Sequence, residues 1–393
     1  MDVDSHRNRL EAWLILLRAP GLGPAALRDL VVRHGDVNSA LAAARVGDGM
    51  RAADSACRDW LRAPDRALID SDLAWLGAED HALLTFDAAD DFPDVLDEIG
   101  SPPAALFVVG DASAVWQPQI AIVGSRNASH AGTAIARDFA RTLVLAGFAI
   151  TSGLAEGIDA AAHGAAVDAG GITLAVLGTG ADLVYPPKHG DLAAQITSHG
   201  ALISEFPPGT PPHPRHFPRR NRIIAGLSLG TLVVEASLRS GSLITARNAV
   251  EAGRDVFAVP GSIHNPLARG CHQLIRNGAK LVETAEELIA ELAPLAHGLG
   301  ASLRERLQSS DTSEEAQRRA PPRRTPILTR ADDPDYARLF AALGHDALGV
   351  DQLALRSGLE VATLSSMLLM LELEGEVVPA RGGGYARRIA DAI

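Results

Sequence analysis

Residues 119–163, QIAIVGSRNASHAGTAIARDFARTLVLAGFAITSGLAEGIDAAAH, decide the fold. An apolar run from Ile120 to Val123 stops at Gly124-Ser125-Arg126 and passes into a helix-period segment ending near Gly147. A second apolar run, Phe148 to Thr151, follows. That is strand, turn, helix, strand: one βαβ unit. The second strand stops in the same way, at Ser152-Gly153-Leu154-Ala155-Glu156-Gly157, before another helix. Two glycine-bearing turns are therefore expected at the carboxyl ends of neighbouring parallel strands, the edge where open α/β sheets place ligands. Glycine lets backbone approach a phosphate closely, and a helix amino terminus supplies unpaired N–H groups, so both turns can hold an anion.

Outward from this unit, apolar runs return at intervals of about thirty residues, the repeat of successive βα units. They are Ile120 to Val123, Phe148 to Thr151, Thr173 to Leu177, Ala201 to Ser204, Thr231 to Glu235 and Val256 to Val259, with Lys280 to Val282 as a closing edge. Right-handed crossovers then place helices on both faces of a Rossmann-like, doubly wound, mostly parallel sheet, an α/β fold. Ahead of it, Ala105 to Val109 reads as a strand that can extend the sheet. Residues 1–70 form an N-terminal helical domain of helix-hairpin-helix or SAM-like type, in which Gly21-Leu22-Gly23-Pro24 separates two helical patterns. A turn of this kind can offer N–H groups to a DNA phosphate. The acidic surroundings favour a module that packs or binds protein. The extended Rossmann-like domain covers 71–290, and Arg-, Ser-, Glu- and Pro-bearing sequence over 291–334 reads as a linker. In 335–393, three helical stretches (Tyr336 to Leu343, Val350 to Ser357, Val361 to Glu374) and two short strands around Gly382-Gly383-Gly384 spell a winged helix. Its third helix carries no Lys or Arg before Arg381, which favours partner binding or dimer packing over insertion into a DNA groove.

The composition sets bounds. A chain of 393 residues, 47 % hydrophobic and 21 % charged, can bury a large core in two or three domains. The net charge of −12 argues against indiscriminate nucleic-acid binding, yet it is unevenly spread. Residues 1–117 carry 20 acids against 10 bases, whereas Glu205 to Lys280 carry 10 bases against 4 acids. Cys57 and Cys271 make neither a disulfide framework nor a zinc site, and His264 and His272 have no zinc spacing. No metal or cofactor is expected. With no signal peptide and no apolar run long enough to span a bilayer, the chain reads as cytoplasmic, with no membrane association.

The motifs resemble the DNA-processing protein A family (DprA, also called Smf). The resemblance runs through Gly124-Ser125-Arg126; Ser152 to Asp159 with His163; Ala175 to Gly178 followed by Tyr185-Pro186; Phe217 with Arg220 to Ser228; Ser240 to Ala246; and Gly253-Arg254 leading to Phe257 to Gly261. Six motifs in order, over nearly the whole chain, make it specific. The resemblance implies a non-catalytic protein that binds and protects single-stranded DNA, forms a homodimer, and loads RecA recombinase onto DNA in natural transformation and recombination. The family usually has arginine where this chain has Glu156, which makes that turn less basic.

Single-stranded DNA requires cations for phosphates and flat surfaces for bases. Arg126, at the end of the first strand, matches the family's main phosphate-binding arginine. Lys188, one of only two lysines among 36 basic residues, stands beyond the third strand, as a DNA contact or a solvated loop lysine. Arg219, Arg220 and Arg222 introduce a helix and can face one groove, with Asn221 available for hydrogen bonds. Arg222 has a structural alternative, pairing with Glu235. Phe217 can stack on a base or pack the loop. Ser240-Gly241-Ser242 is either an anion nest or an ordinary helix cap by Ser242. Asp159 and His163, four apart on one helix, can pass for an acid and base pair. A structural role is favoured, Asp159 capping the helix start and His163 bonding to a neighbouring strand. Leu274 and Ile275 are the dimerisation anchors the family pattern suggests; internal packing is their other reading.

The rival function is a nucleotide enzyme, a phosphoribohydrolase of the lysine-decarboxylase-like family. Gly230-Thr231-Leu232 with Glu235 is similar to part of that family's Pro-Gly-Gly-x-Gly-Thr-x-x-Glu signature, but Leu227-Ser228-Leu229 replaces the Pro-Gly-Gly portion. Release of adenine from AMP separates the two. The first turn lacks a full G-x-G-x-x-G, and there is no Walker A sequence.

Overall fold

The computed structural model describes residues 3–48, 55–88 and 92–296, and in the tail 338–339, 342–343, 348–359, 364, 367–368, 371, 377–380 and 384–387. The chain divides into two compact units, Met1–Gln308 and Ser309–Ile393. The first opens with five helices, α1 (Val3–Leu17), α2 (Pro24–His34), α3 (Val37–Arg45), α4 (Ser55–Arg62) and α5 (Arg66–Leu76). Pro24 starts α2 directly after the Gly-Leu-Gly turn, where its missing N–H costs nothing. Asp36 caps α3 by accepting from the N–H groups of Asn38 and Ser39. The helices close over Trp13, Leu14, Ile15, Leu30 and Leu61, and share that core with Phe107 of the sheet. Arg18 and Arg28, on either side of the glycine turn, are turned inward. Arg18 pairs with Asp72 and donates to the Pro208 carbonyl, and Arg28 donates to the Pro103 carbonyl.

Nine strands follow: β1 (His81–Thr85), β2 (Ala105–Gly110), β3 (Gln119–Val123), β4 (Ala149–Ser152), β5 (Thr173–Val176), β6 (Ala201–Ser204), β7 (Gly230–Val233), β8 (Asp255–Ala258) and β9 (Lys280–Leu281). They lie in the order β1-β2-β6-β5-β4-β3-β7-β8-β9. The seven from β6 to β9 are parallel, and β2 joins β6 antiparallel, as does β1 to β2. Every strand anticipated from the apolar runs is present. β1 was not anticipated.

Alternate residues of each strand feed opposite faces, the period of two that a buried sheet demands. Val123, Val176, Ile203 and Val233 pack beneath α9 (His216–Leu227), α10 (Ser242–Glu251) and α11 (Arg269–Arg276). Ile120, Ile122, Ile150 and Leu232 pack on the other face against α6 (His130–Leu145), α7 (Ile158–Asp168) and a helix over 285–296, and Ala175 and Leu202 pack against α8 (Gly190–His199). The sheet is therefore doubly wound. In the second unit, a strand at Leu348–Gly349, a helix at Val350–Ser357 and a hairpin of Val377–Ala380 with Gly384–Arg387 form a three-stranded sheet with a helix beside it. Most of the 361–374 helix, all of the 291–334 linker beyond residue 296, and Arg381 lie outside the described residues.

Candidate functional site

From β3 the chain steps outward through β4, β5 and β6, then α9 carries it back across the sheet to β7, on the other side of β3. Chains leaving the carboxyl ends of β3 and β7 thus diverge, and a crevice opens between them. A cavity of about 610 Å³ occupies it. Gly124, Ser125 and Arg126 line it from the end of β3; Phe217, Arg220 and Asn221 from the first turns of α9; and Ser240, Gly241 and Ser242 from the start of α10. Nine of the twelve candidate DNA-binding residues therefore converge, and only Lys188, Arg219 and Arg222 do not border this cavity.

The two glycine turns interlock to make its wall. Gly157 has a φ of +78°, and a Cβ there would lie 2.2 Å from the Ser125 carbonyl oxygen, so only glycine lets the second turn close on the first. The Ile158 N–H donates to that same carbonyl at 3.2 Å. Ser129 caps α6 through the Gly132 N–H, and its own N–H and hydroxyl donate to Glu235 at 2.8 and 2.6 Å. Glu235 is thus spent on the first turn. The alternative Arg222–Glu235 pair does not form; Glu205, at the end of β6, takes both Arg222 and Arg219. Those two guanidiniums are tied to a buried carboxylate instead of facing the groove.

Arg220 is also a strut. It is buried, with its guanidinium donating to the Gly153 carbonyl at 2.7 Å, to the Val176 carbonyl and to Asn221 Oδ1. Burial lowers its pKa to about 10, against the pull of nearby Asp159, so it stays charged near neutrality. Gly153 leaves the room: a Cβ there would sit 2.2 Å from the guanidinium. Asp159 accepts from the N–H groups of Gly153 and Ala155, and burial pushes its pKa up. His163 bonds to Thr173 on β5, at 2.7 Å. The Thr173 hydroxyl gives its proton to the Ile150 carbonyl, so it accepts from His163 Nδ1–H, and Nε2 is buried with no partner. Burial first, then the charge of Arg220, pushes the imidazole down to about 3. His163 has the structural role expected of it; Asp159 is structural too, but it ties down the turn before α7 instead of capping the helix, whose N-cap is Gly157 with no side-chain bond.

Arg126, by contrast, is exposed, its guanidinium carbon 5.4 Å from the centre of the Phe217 ring, within cation–π range. Tyr185 lies on that ring's flank, centroids 5.6 Å apart. Tyr185 is not among the candidate site residues of the sequence; its place next to Pro186, after the third strand of the parallel run, is the signal that marks it. The three side chains also line a smaller adjoining cavity of about 250 Å³, with Glu156 on its rim. Lys188 reaches Glu156 at 2.7 Å, both side chains exposed. At the third wall, the Ser240 and Ser242 hydroxyls bond to each other at 2.6 Å, and Asn221 Nδ2 donates to the Gly241 carbonyl at 3.3 Å. Ser242 is not a cap: the N-cap of α10 is Gly241, with no side-chain bond. Leu274 and Ile275, on α11, are half-buried against the sheet core.

The family model described as DNA recombination-mediator protein A matches residues 83–293, more than half of the chain. The chain belongs to that family. A second model, the DprA winged helix domain, matches residues 319–383, so the tail is a member of this family's winged-helix type. Protein Smf of Escherichia coli K12 is 43 % identical over 323 residues, 82 % of this chain and 81 % of Smf. The X-ray structure of DNA processing protein A from Streptococcus pneumoniae superposes with a TM-score of 0.63 at 36 % identity, covering 72 % of this chain and 97 % of that one. DNA processing protein A of Helicobacter pylori, a structure described for its single-stranded DNA binding mode, superposes with a TM-score of 0.50 at 26 % identity, covering 55 % and 96 %. The crevice at the switch point falls within the stretch that the first family model covers.

Proposed function

We propose that the switch-point crevice binds single-stranded DNA, and that the protein shields the strand and passes it, as a homodimer in the cytoplasm, to RecA recombinase during natural transformation and recombination. The observation that carries the reading is the juxtaposition of the exposed Arg126 with the Phe217 and Tyr185 rings at the lip of an open cavity. A cation for a phosphate and ring faces for unstacked bases are the two requirements of a single strand, and a duplex keeps its base faces stacked away from such a platform. The single-strand binding named for the Helicobacter pylori relative supports the same assignment. Transfer to RecA and the homodimer rest on the family pattern, with the half-buried Leu274 and Ile275 as dimer anchors. No catalytic role enters the proposal. Asp159 borders the cavity, but its carboxylate accepts from the N–H groups of Gly153 and Ala155, and His163 is buried with its Nδ1 on Thr173.

The test is a titration of a labelled oligo-dT strand against a duplex of equal length, at two salt concentrations. The single strand is expected to bind more tightly, with affinity falling as salt rises because phosphate contacts release counterions. Arg126→Ala should weaken binding and reduce the log–log salt slope by about 0.7, the share of one phosphate on a single strand. Its melting temperature should stay that of wild type. Equal binding by Arg126→Ala and wild type would overturn the site.

A further inference from the structure

The lip of the crevice carries an acid among its bases. Glu156 Oε1 lies 2.7 Å from Lys188 Nζ, with the two side chains 48 % and 61 % exposed. Arg126 borders the same small cavity. A hydrogen bond from Lys188 holds the Glu156 carboxyl below its ordinary range, with smaller help from the charges of Lys188, His189 and Arg126, so it is ionised at neutral pH. An ionised carboxylate offers a cation what a phosphodiester offers: negative charge spread over two acceptor oxygens. The turn does not depend on this ion pair for its shape. Asp159 holds it from within through the N–H groups of Gly153 and Ala155, and His189 Nδ1 donates to the Leu154 carbonyl at 2.9 Å.

We propose that Glu156 occupies Lys188 in place of a nucleic-acid phosphate, so that an incoming strand must displace it and Glu156 sets the affinity of the site. The inference rests on the single-strand reading above. Arg126, Lys188 and Glu156 together carry one net positive charge instead of two. A lone phosphate meets the resident carboxylate on nearly equal terms at Lys188. A polymer already held at Arg126 presents its next phosphates at high local concentration and wins the exchange. The built-in competitor therefore favours strands over free nucleotides.

The test uses the full chain as wild type, Glu156→Gln, Lys188→Gln and the double variant, titrated with labelled oligo-dT across about 50 to 200 mM salt. Glu156→Gln should bind about two- to fivefold more tightly, the worth of one exposed ion pair. Its salt slope should stay close to that of wild type, because the bound strand reaches Lys188 in both. Lys188→Gln should cost about two- to fivefold in the Glu156→Gln background and less than that in the wild-type background. Unchanged or weaker binding by Glu156→Gln overturns the inference, since a carboxylate that merely ordered the loop would weaken binding when removed. Equal costs of Lys188→Gln in both backgrounds overturn it too. If wild type binds the strand through Arg126 and Glu156→Gln is inert, this inference alone falls. If wild type does not bind, the single-strand reading falls with it.

Discussion

The floor and the lip of one crevice treat the same side chain in opposite ways. On the floor, Arg220 is buried and its guanidinium is committed to the Gly153 and Val176 carbonyls, tying the ends of β4 and β5 to α9. At the lip, Arg126 is exposed and rests on the face of the Phe217 ring. Both border the cavity, and both are arginines at positions that match the family's motifs. A count of bases near a crevice is therefore no measure of the charge it can offer. What matters is whether each guanidinium already has oxygen partners, because a buried one without them carries an uncompensated desolvation cost.

The largest expected effect follows from the floor. Arg220→Ala would leave two carbonyls without a donor and the buried Asp159 without its facing cation. Removing one partner of a buried charged cluster costs roughly 3 to 5 kcal/mol, so thermal or urea unfolding of this variant should show a clear loss of stability. Arg126→Ala should melt like wild type. Matching melting temperatures for the two variants would break the comparison.

The floor should also show itself through pH. His163 has a folded-state pKa of about 3, far below the ordinary 6.5 it regains on unfolding. Between these values the unfolded chain binds more protons than the folded one, so stability contributed by the neutral imidazole is lost as pH falls below about 6.5. The slope from this one group is about 1.4 kcal/mol per pH unit, or about 2 kcal/mol by pH 5. His163→Asn, which keeps a donor for Thr173, should flatten that part of the stability profile. A profile as steep as wild type's would show that the imidazole takes its proton without unfolding.

How much of this could be read beforehand depends on what fixes each feature. Strands β3 to β8 are buried on both faces, so they appear as short apolar runs cut by glycine turns, and the turns place the crevice. β1 escaped because it is an antiparallel edge strand, only half-buried over His81 to Leu83, and its sequence His-Ala-Leu-Leu-Thr has a single β-branched residue. From sequence, Arg220 reads as one of three arginines facing a groove. Its spacing told otherwise: Arg220, Ile223, Ile224 and Leu227 share one helical face, and all are buried. The partner of Arg222 was not legible, since both Glu205 and Glu235 end strands and only the fold chooses between them. The Lys188–Glu156 pair likewise joins turns after different strands, 32 positions apart, which no local pattern announces.

The smallest expected effect lies between floor and lip, at Glu205. This carboxylate is buried and accepts from two guanidiniums, Arg222 at 12 % side-chain exposure and Arg219 at 43 %. Arg219→Ala leaves the carboxylate with the better-buried of its two partners, and the side chain it removes is partly solvated, its guanidinium 5.2 Å from the centre of the Phe206 ring. Its cost should stay below about 1 kcal/mol, the range of exposed ion pairs, as a barely shifted unfolding midpoint. A loss comparable to that of Arg220→Ala would mean that exposure does not separate committed arginines from available ones. Arg219 would then have to be counted with the floor, and Arg126 would remain as the distinguishing cation of the lip.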